Sequence, residues 1–137
     1  MTELLNALTI STHGMKAQSD RIRVISENVA NADSAANKPG EDPYRRKLVT
    51  FKNALDKEMD VNLVSIDDVK PDKSEFKKEL RPGHPGADED GYVLLPNVNS
   101  MIEMMDMREA QRSYEANLTI VDMTRRMANQ TVGLLDQ

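Results

Sequence analysis

The sequence contains no cysteine and no tryptophan, and aromatic residues make up only 4% of its 137 positions. Disulfides, thiolate metal sites and cysteine nucleophiles are therefore excluded. Large aromatic side chains ordinarily dominate core energetics, so a core here must rest on Leu, Ile, Val and Met. No apolar run approaches the ~18–20 residues needed to span a bilayer, which argues against direct membrane insertion. A secretory leader pattern is missing as well. Met1-Thr2-Glu3-Leu4-Leu5-Asn6 has no basic start, and polar residues interrupt the apolar ones. Charges of both signs are interspersed, with a net charge of −5. No basic stripe exists that would neutralise phosphates, so nucleic acid is not an expected partner. The most basic stretch, Arg45-Arg46-Lys47, reads as a solvated strand face.

Motifs for chemistry are equally scarce. The sequence holds no phosphate-binding glycine loop, no nucleophile elbow and no metal-ligand helix motif. His13 and His84 are remote from each other, and neither has ligand spacing with a partner. Asp88-Glu89-Asp90-Gly91 has the look of a calcium loop. Aligned on its glycine, however, Gly86 and Asn97 fall where ligand carboxylates are required, so an acidic turn is the reading. No metal or cofactor is expected, and the chain reads as a non-enzyme.

Proline and glycine divide the chain by where they are missing. Residues 3–32 hold no proline and a single glycine, Gly14, whereas all six prolines and four of the six glycines lie in residues 34–97. From Met101 to Thr131 there is again neither. Three regions follow: a helix in 1–33, a loop and β region in 34–97, and a second helix in 98–137. In the first, Leu4, Leu8, Ser11, Met15, Gln18, Ile22, Ile25 and Val29 recur at alternating four- and three-residue spacing. That is one face of a long helix or a coiled-coil seam, with Gly14 a point for a bend. In the middle, Tyr44–Phe51, Val61–Ile66 and, more weakly, Phe76–Leu80 have strand composition. Asp90-Gly91 suits a tight turn into Tyr92–Leu95. Ser100-Met101-Ile102-Glu103 has capping-box form at the start of the last helix.

The last helix carries two apolar stripes. One runs through Met104, Met107, Gln111, Tyr114, Leu118, Val121, Arg125, Ala128, Val132 and Leu135; the other through Ile102, Met105, Glu109, Ala116, Ile120, Met123, Met127 and Leu134. At ~100° per residue they lie on nearly opposite sides. One can face the first helix, but a chain with only two long helices has little left to cover the other. Helices apolar on two sides are normally buried, so the second face calls for another chain. Six of the nine methionines fall between Met101 and Met127, and Met conforms to irregular surfaces. If a subunit uses different surfaces on its two sides, the contacts are heterologous and extend into a helical array.

Ser26-Glu27-Asn28-Val29-Ala30-Asn31-Ala32-Asp33-Ser34 resembles the signature near the N-terminus of flagellar axial rod and hook proteins, in which an Asn- and Ala-rich turn closes the first helix. Asn28, Ala30, Asn31, Ala32 and Asp33 carry the match, with Ser34 where Thr is common. Asn suits such an exit because it tolerates left-handed backbone and bonds nearby backbone groups. Asp42-Pro43-Tyr44-Arg45-Arg46-Lys47, His84–Asp88, Gly91–Val93, Pro96–Asn99 and Tyr114–Asn117 are similar to proximal-rod members of that family, in order and spacing. The segments 35–38 and 56–78 match least.

The resemblance implies a mainly α fold in which the long N- and C-terminal helices pair as an antiparallel coiled-coil hairpin of an inner rod domain, with a small irregular β region between them. It implies a structural subunit of the proximal rod that assembles helically and transmits torque. Its partners would be further copies of itself, other rod proteins and the rod-base adaptor FliE, with the flagellar type III export apparatus met in transit. The location would be the periplasmic rod of the basal body, reached without a cleaved signal peptide. Leu8, Met15, Ile22 and Val29 are expected to face Met104, Leu118 and Val121 within the chain. Ile102, Met105, Ile120, Met123 and Met127 are expected between subunits. A different class of reading is a soluble helical adaptor or export chaperone, holding its two-sided helix against one client in a closed complex.

Overall fold

The computed structural model describes residues 1–135, and side chains through Leu134. The helix expected over 98–137 thus has its last two positions outside the described residues. The element order is α1 (Thr2–Ala30), β1 (Lys47–Asp56), β2 (Val61–Pro71), β3 (Lys77–Leu80), β4 (Tyr92–Leu95) and α2 (Ser100–Leu135). The architecture is mainly helical, with two small antiparallel sheets between two long helices. β1 pairs with β2, and β3 with β4. In the second sheet the register runs from Lys77 opposite Leu95 to Leu80 opposite Tyr92.

The local reasons are legible. α1 ends in a turn over residues 31–33, where the Asn31 side-chain amide donates to the Glu27 carbonyl at 2.8 Å. Neither Asn28 nor Asn31 adopts positive φ; among the described non-glycine residues only Asp60 does. The signature asparagines therefore work by hydrogen bonding and not by left-handed backbone. α1 passes through Gly14 without a break. α2 is capped by Asn99, whose side-chain oxygen accepts from the Met101 amide at 3.1 Å, and not by the expected Ser100–Glu103 box. β1 and β2 run longer than their composition suggested. Their ribbon is closed by Asp56, which accepts from the Glu58 amide at 2.9 Å, and pairing carries the strands through Asn53 and Asp67-Asp68 against their low β-propensity. Asp88 organises the acidic turn before β4, accepting from the amides of Asp90 and Tyr92.

The chain forms two compact units. The first comprises Met1–Ile22, Thr50–Asp68 and the described part of Arg108–Gln137. Within it α1 and α2 run antiparallel. Gly14 lies against Asn117, where an added Cβ would stand 2.8 Å from the Asn117 amide nitrogen. Seven residues further along α1, Arg21 pairs with Glu109, eight residues back along α2, at 3.4 Å. The buried residues are small or polar: Ser11, Ala17, Ala110 and Thr124, together with Leu63 from β2.

The second unit comprises Arg23–Val49 and Val69–Met107. Its core is apolar, with Val24, Ile25, Ala36, Val93, Leu95, Pro96 and Val98 all buried. Gly86 permits a close approach here, since a Cβ on it would fall directly on the Ala36 backbone.

Candidate functional site

Two features stand out: a buried polar clasp in the second unit and an exposed apolar face on α2. The clasp is built on Asn28, inside the last turns of α1 and only 1% exposed. Its amide nitrogen donates to the Lys47 carbonyl at 2.9 Å and to Glu103 Oε2 at 3.1 Å. Its oxygen accepts from the Tyr44 hydroxyl and the Lys47 amide, each at 2.9 Å. Two donors and two acceptors are thereby filled, the full capacity of an asparagine side chain.

Glu103, in the first turn of α2, is likewise 1% exposed. Its other carboxylate oxygen accepts from Arg46 Nε. Arg46 also reaches Asp72 at 3.4 Å and Asp106 at 3.7 Å. The Arg46 amide donates to Asn97 Oδ1 at 2.8 Å. The Asn97 amide nitrogen in turn holds the carbonyls of Asp72 and Ser74. Arg45 stacks over Phe76, 4.1 Å from its ring centroid, and donates to the Asp72 carbonyl. Arg45-Arg46-Lys47 is therefore no solvated strand face: β1 begins only at Lys47, and the two arginines tie the chain segments of this unit together.

The electrostatics follow the geometry. Burial opposes charge on Arg46, but the hydrogen bond and charge of Glu103, then those of Asp72, outweigh it and hold the guanidinium above its ordinary pKa. The Ser74 amide, donating to its carboxylate, holds Asp72 below the ordinary carboxylate range, against a smaller effect of burial. Burial raises the Tyr44 hydroxyl. Glu27 is lowered and Lys47 raised by their mutual hydrogen bond and charge at 2.8 Å.

The residues expected between the helices are placed unevenly. Leu8, Met15, Ile22 and Val121 are half-buried. Val29, Met104 and Leu118, expected to face the partner helix, are exposed. α2 turns inward the row Glu103, Ala110, Asn117 and Thr124, spaced by sevens, flanked by half-buried Met107, Tyr114, Val121 and Ala128. The expected stripe shares this flank and takes in the row one residue later. Hydrophobicity favours Met104 and Leu118 over Glu103 and Asn117, but the close approach at Gly14 and the clasp at Asn28 need a small or polar partner.

Ile102, Met105, Ile120, Met123 and Met127, assigned between subunits, are all exposed. Of the signature, Asn28 is buried and Asn31 caps the turn, while Ala30 and Asp33 are exposed and Ala32 is half-buried. Sequence reasoning missed Arg46, Asp72, Asn97 and Glu103 as a cluster. One signal was available, a charged residue one helical turn before Met107 at heptad spacing. Among the described residues no group of acidic or histidine side chains is arranged to hold a metal ion, and no helix is long and apolar enough to cross a membrane.

An axial flagellar class is the frame in which these features belong, for residues 89–134 match the family described as flagellar basal body rod FlgEFG protein C-terminal. Curated relatives extend the match to nearly the whole chain. The flagellar basal-body rod protein FlgC of Agrobacterium fabrum is 47% identical over 98% of this chain and 97% of its own length. FlgC of Yersinia enterocolitica is 38% identical, over 96% and 97%, and that of Aquifex aeolicus is 39% identical, over 96% of each. The chain belongs to the FlgC family of flagellar basal-body rod proteins, and is a structural subunit of the rod.

Proposed function

We infer that the chain occupies the proximal rod, assembling helically with further copies of itself and with other rod proteins so that motor torque passes along the periplasmic rod. The observation that carries this reading is the apolar face of α2. Ile102, Met105, Ile120, Met123 and Met127 lie in water on a helix of 36 residues. Large exposed apolar patches mark interaction surfaces, and contacts between unlike surfaces propagate instead of closing. Antiparallel coiled-coil pairing of α1 and α2 is part of the same reading, supported by the inward row of α2 at intervals of seven, the heptad period of supercoiled helices. Leu8, Met15, Ile22 and Val121 flank that seam. The signature residues Asn28, Ala30, Asn31, Ala32 and Asp33 shape the exit of α1 from it. The rod-base adaptor FliE is the neighbour expected at the membrane end, and the flagellar type III export apparatus the one met in transit. The role requires no catalysis.

The test is Ile120→Asp in cells. Expression and helix content should stay at wild-type level while incorporation into rods and motility are lost. Normal motility in that variant would sink the interface.

A further inference from the structure

The row that α2 turns inward is a poor choice on hydrophobicity alone. Glu103, Ala110, Asn117 and Thr124 occupy it, whereas the row one residue later holds Met104, Gln111, Leu118 and Arg125, with Met104 and Leu118 52% and 41% exposed. Both rows share the flank Met107, Tyr114, Val121 and Ala128. A roll of α2 by about half of the ~100° step between residues would exchange them. Burying Met104 and Leu118 favours the rolled helix, offset in part by bringing Gln111 and Arg125 inward.

The clasp opposes that roll. Both Glu103 carboxylate oxygens are engaged, one by Arg46 and one by Asn28, and every hydrogen-bonding position of Asn28 is filled. Rolling α2 would withdraw the carboxylate and leave Arg46 and Asn28 short of a partner in a nearly dry site, which is costly. A single buried polar group at a core position is the best attested device by which a helix pair selects one register over a more apolar alternative.

We propose that Asn28, Arg46 and Glu103 are positioning residues that lock the rotation of α2, keeping Met104 and Leu118 outward beside the apolar face used between subunits. The consequence for assembly rests on the function proposed above. The rotation itself is measured on the isolated chain, so the two can fail separately. Because α2 is one continuous helix, a rotation set at Glu103 is felt at Ala110 and Leu118.

The absence of cysteine makes single cysteines clean reporters. Ala110→Cys and Leu118→Cys are introduced separately into the full chain, and their alkylation by iodoacetamide is timed. Each is compared in three backgrounds: clasp intact, Glu103→Leu with Arg46→Met, and Glu103→Gln. With the clasp intact, the cysteine at 118 should react at least tenfold faster than that at 110. In the Leu/Met background the order should reverse. Glu103→Gln keeps one carbonyl acceptor, for Arg46, but turns its amide donors toward the Asn28 amide, so the ratio of rates should fall without reversing. An unchanged order in the Leu/Met background overturns the lock. So does reaction of both cysteines at the rate of the urea-unfolded chain, because the three residues then hold the fold and not the rotation. A reversed order in a chain that still enters rods would uphold the lock and count against the proposed subunit face.

Discussion

The two compact units bury different kinds of surface. In the second, an apolar core around Val93, Leu95 and Val98 is joined to a polar clasp whose central asparagine has every hydrogen-bonding position filled. In the first, the buried residues are Ser11, Ala17, Ala110 and Thr124 with one larger aliphatic, Leu63, and the Gln18 side-chain oxygen is buried without a hydrogen-bond partner. Small and polar buried groups contribute little transfer free energy, and an unsatisfied buried acceptor subtracts from it. The described core of the second unit is thus the more apolar of the two, while large apolar side chains of the first, among them Ile120, Met123 and Met127, are exposed.

The comparison can be broken most directly at Glu103. Removing it by Glu103→Ala leaves Arg46 with only the longer contacts to Asp72 and Asp106 and Asn28 short of an acceptor. Breaking a buried pair in this way costs about 3–5 kcal/mol, read as a drop in the urea midpoint. Amides of residues 23–49 and 69–107 should then lose their hydrogen-exchange protection, which in the intact monomer should exceed that of residues 2–22 and 108–135.

Gly86→Ala tests the packing of the same unit, since its Cβ has no room against the Ala36 carbonyl. Overpacking of this kind costs about 1–3 kcal/mol. Gly14 offers the opposite sign in the first unit. Gly14→Ala alone meets the Asn117 amide, the far end of a flexible side chain, so its helix-propensity gain should be largely cancelled. Combined with Asn117→Ala, it should stabilise the monomer by about 1 kcal/mol, with the difference appearing as coupling in a double-mutant cycle.

The smallest effect is on pH. Asp72 is held below its ordinary pKa in the folded chain, so its contribution is present at neutral pH and is lost as pH falls through that lowered value. The exposed Glu27 is lowered too, by Lys47, and follows the same direction. Urea midpoints at pH 7 and pH 3 should therefore differ in favour of pH 7, and Asp72→Asn should reduce the difference.

Much of the fold was legible because it depends on neighbours in the chain. Proline and glycine are missing from both helices apart from Gly14 and Gly133, and α2 begins at the expected Ser100. Turn chemistry at Asp88–Gly91 gave β4 its bounds. The clasp was not legible, since Asn28 and Glu103 are separated by 75 residues and Arg46 and Glu103 by 57. Glu103 was read as a capping residue because Ser100 and Glu103 fit that local pattern. Asn99 performs that role instead and frees the carboxylate for burial.

Spacing, breakers and composition are local properties, and they were enough to mark the extent of the helices, the family and a second apolar stripe on α2. Which row of α2 turns inward is a property of the folded chain. Periodicity ranks rows by hydrophobicity, whereas the folded chain ranks them by whether Gly14 can be approached closely and whether Asn28, Arg46 and Glu103 can satisfy one another.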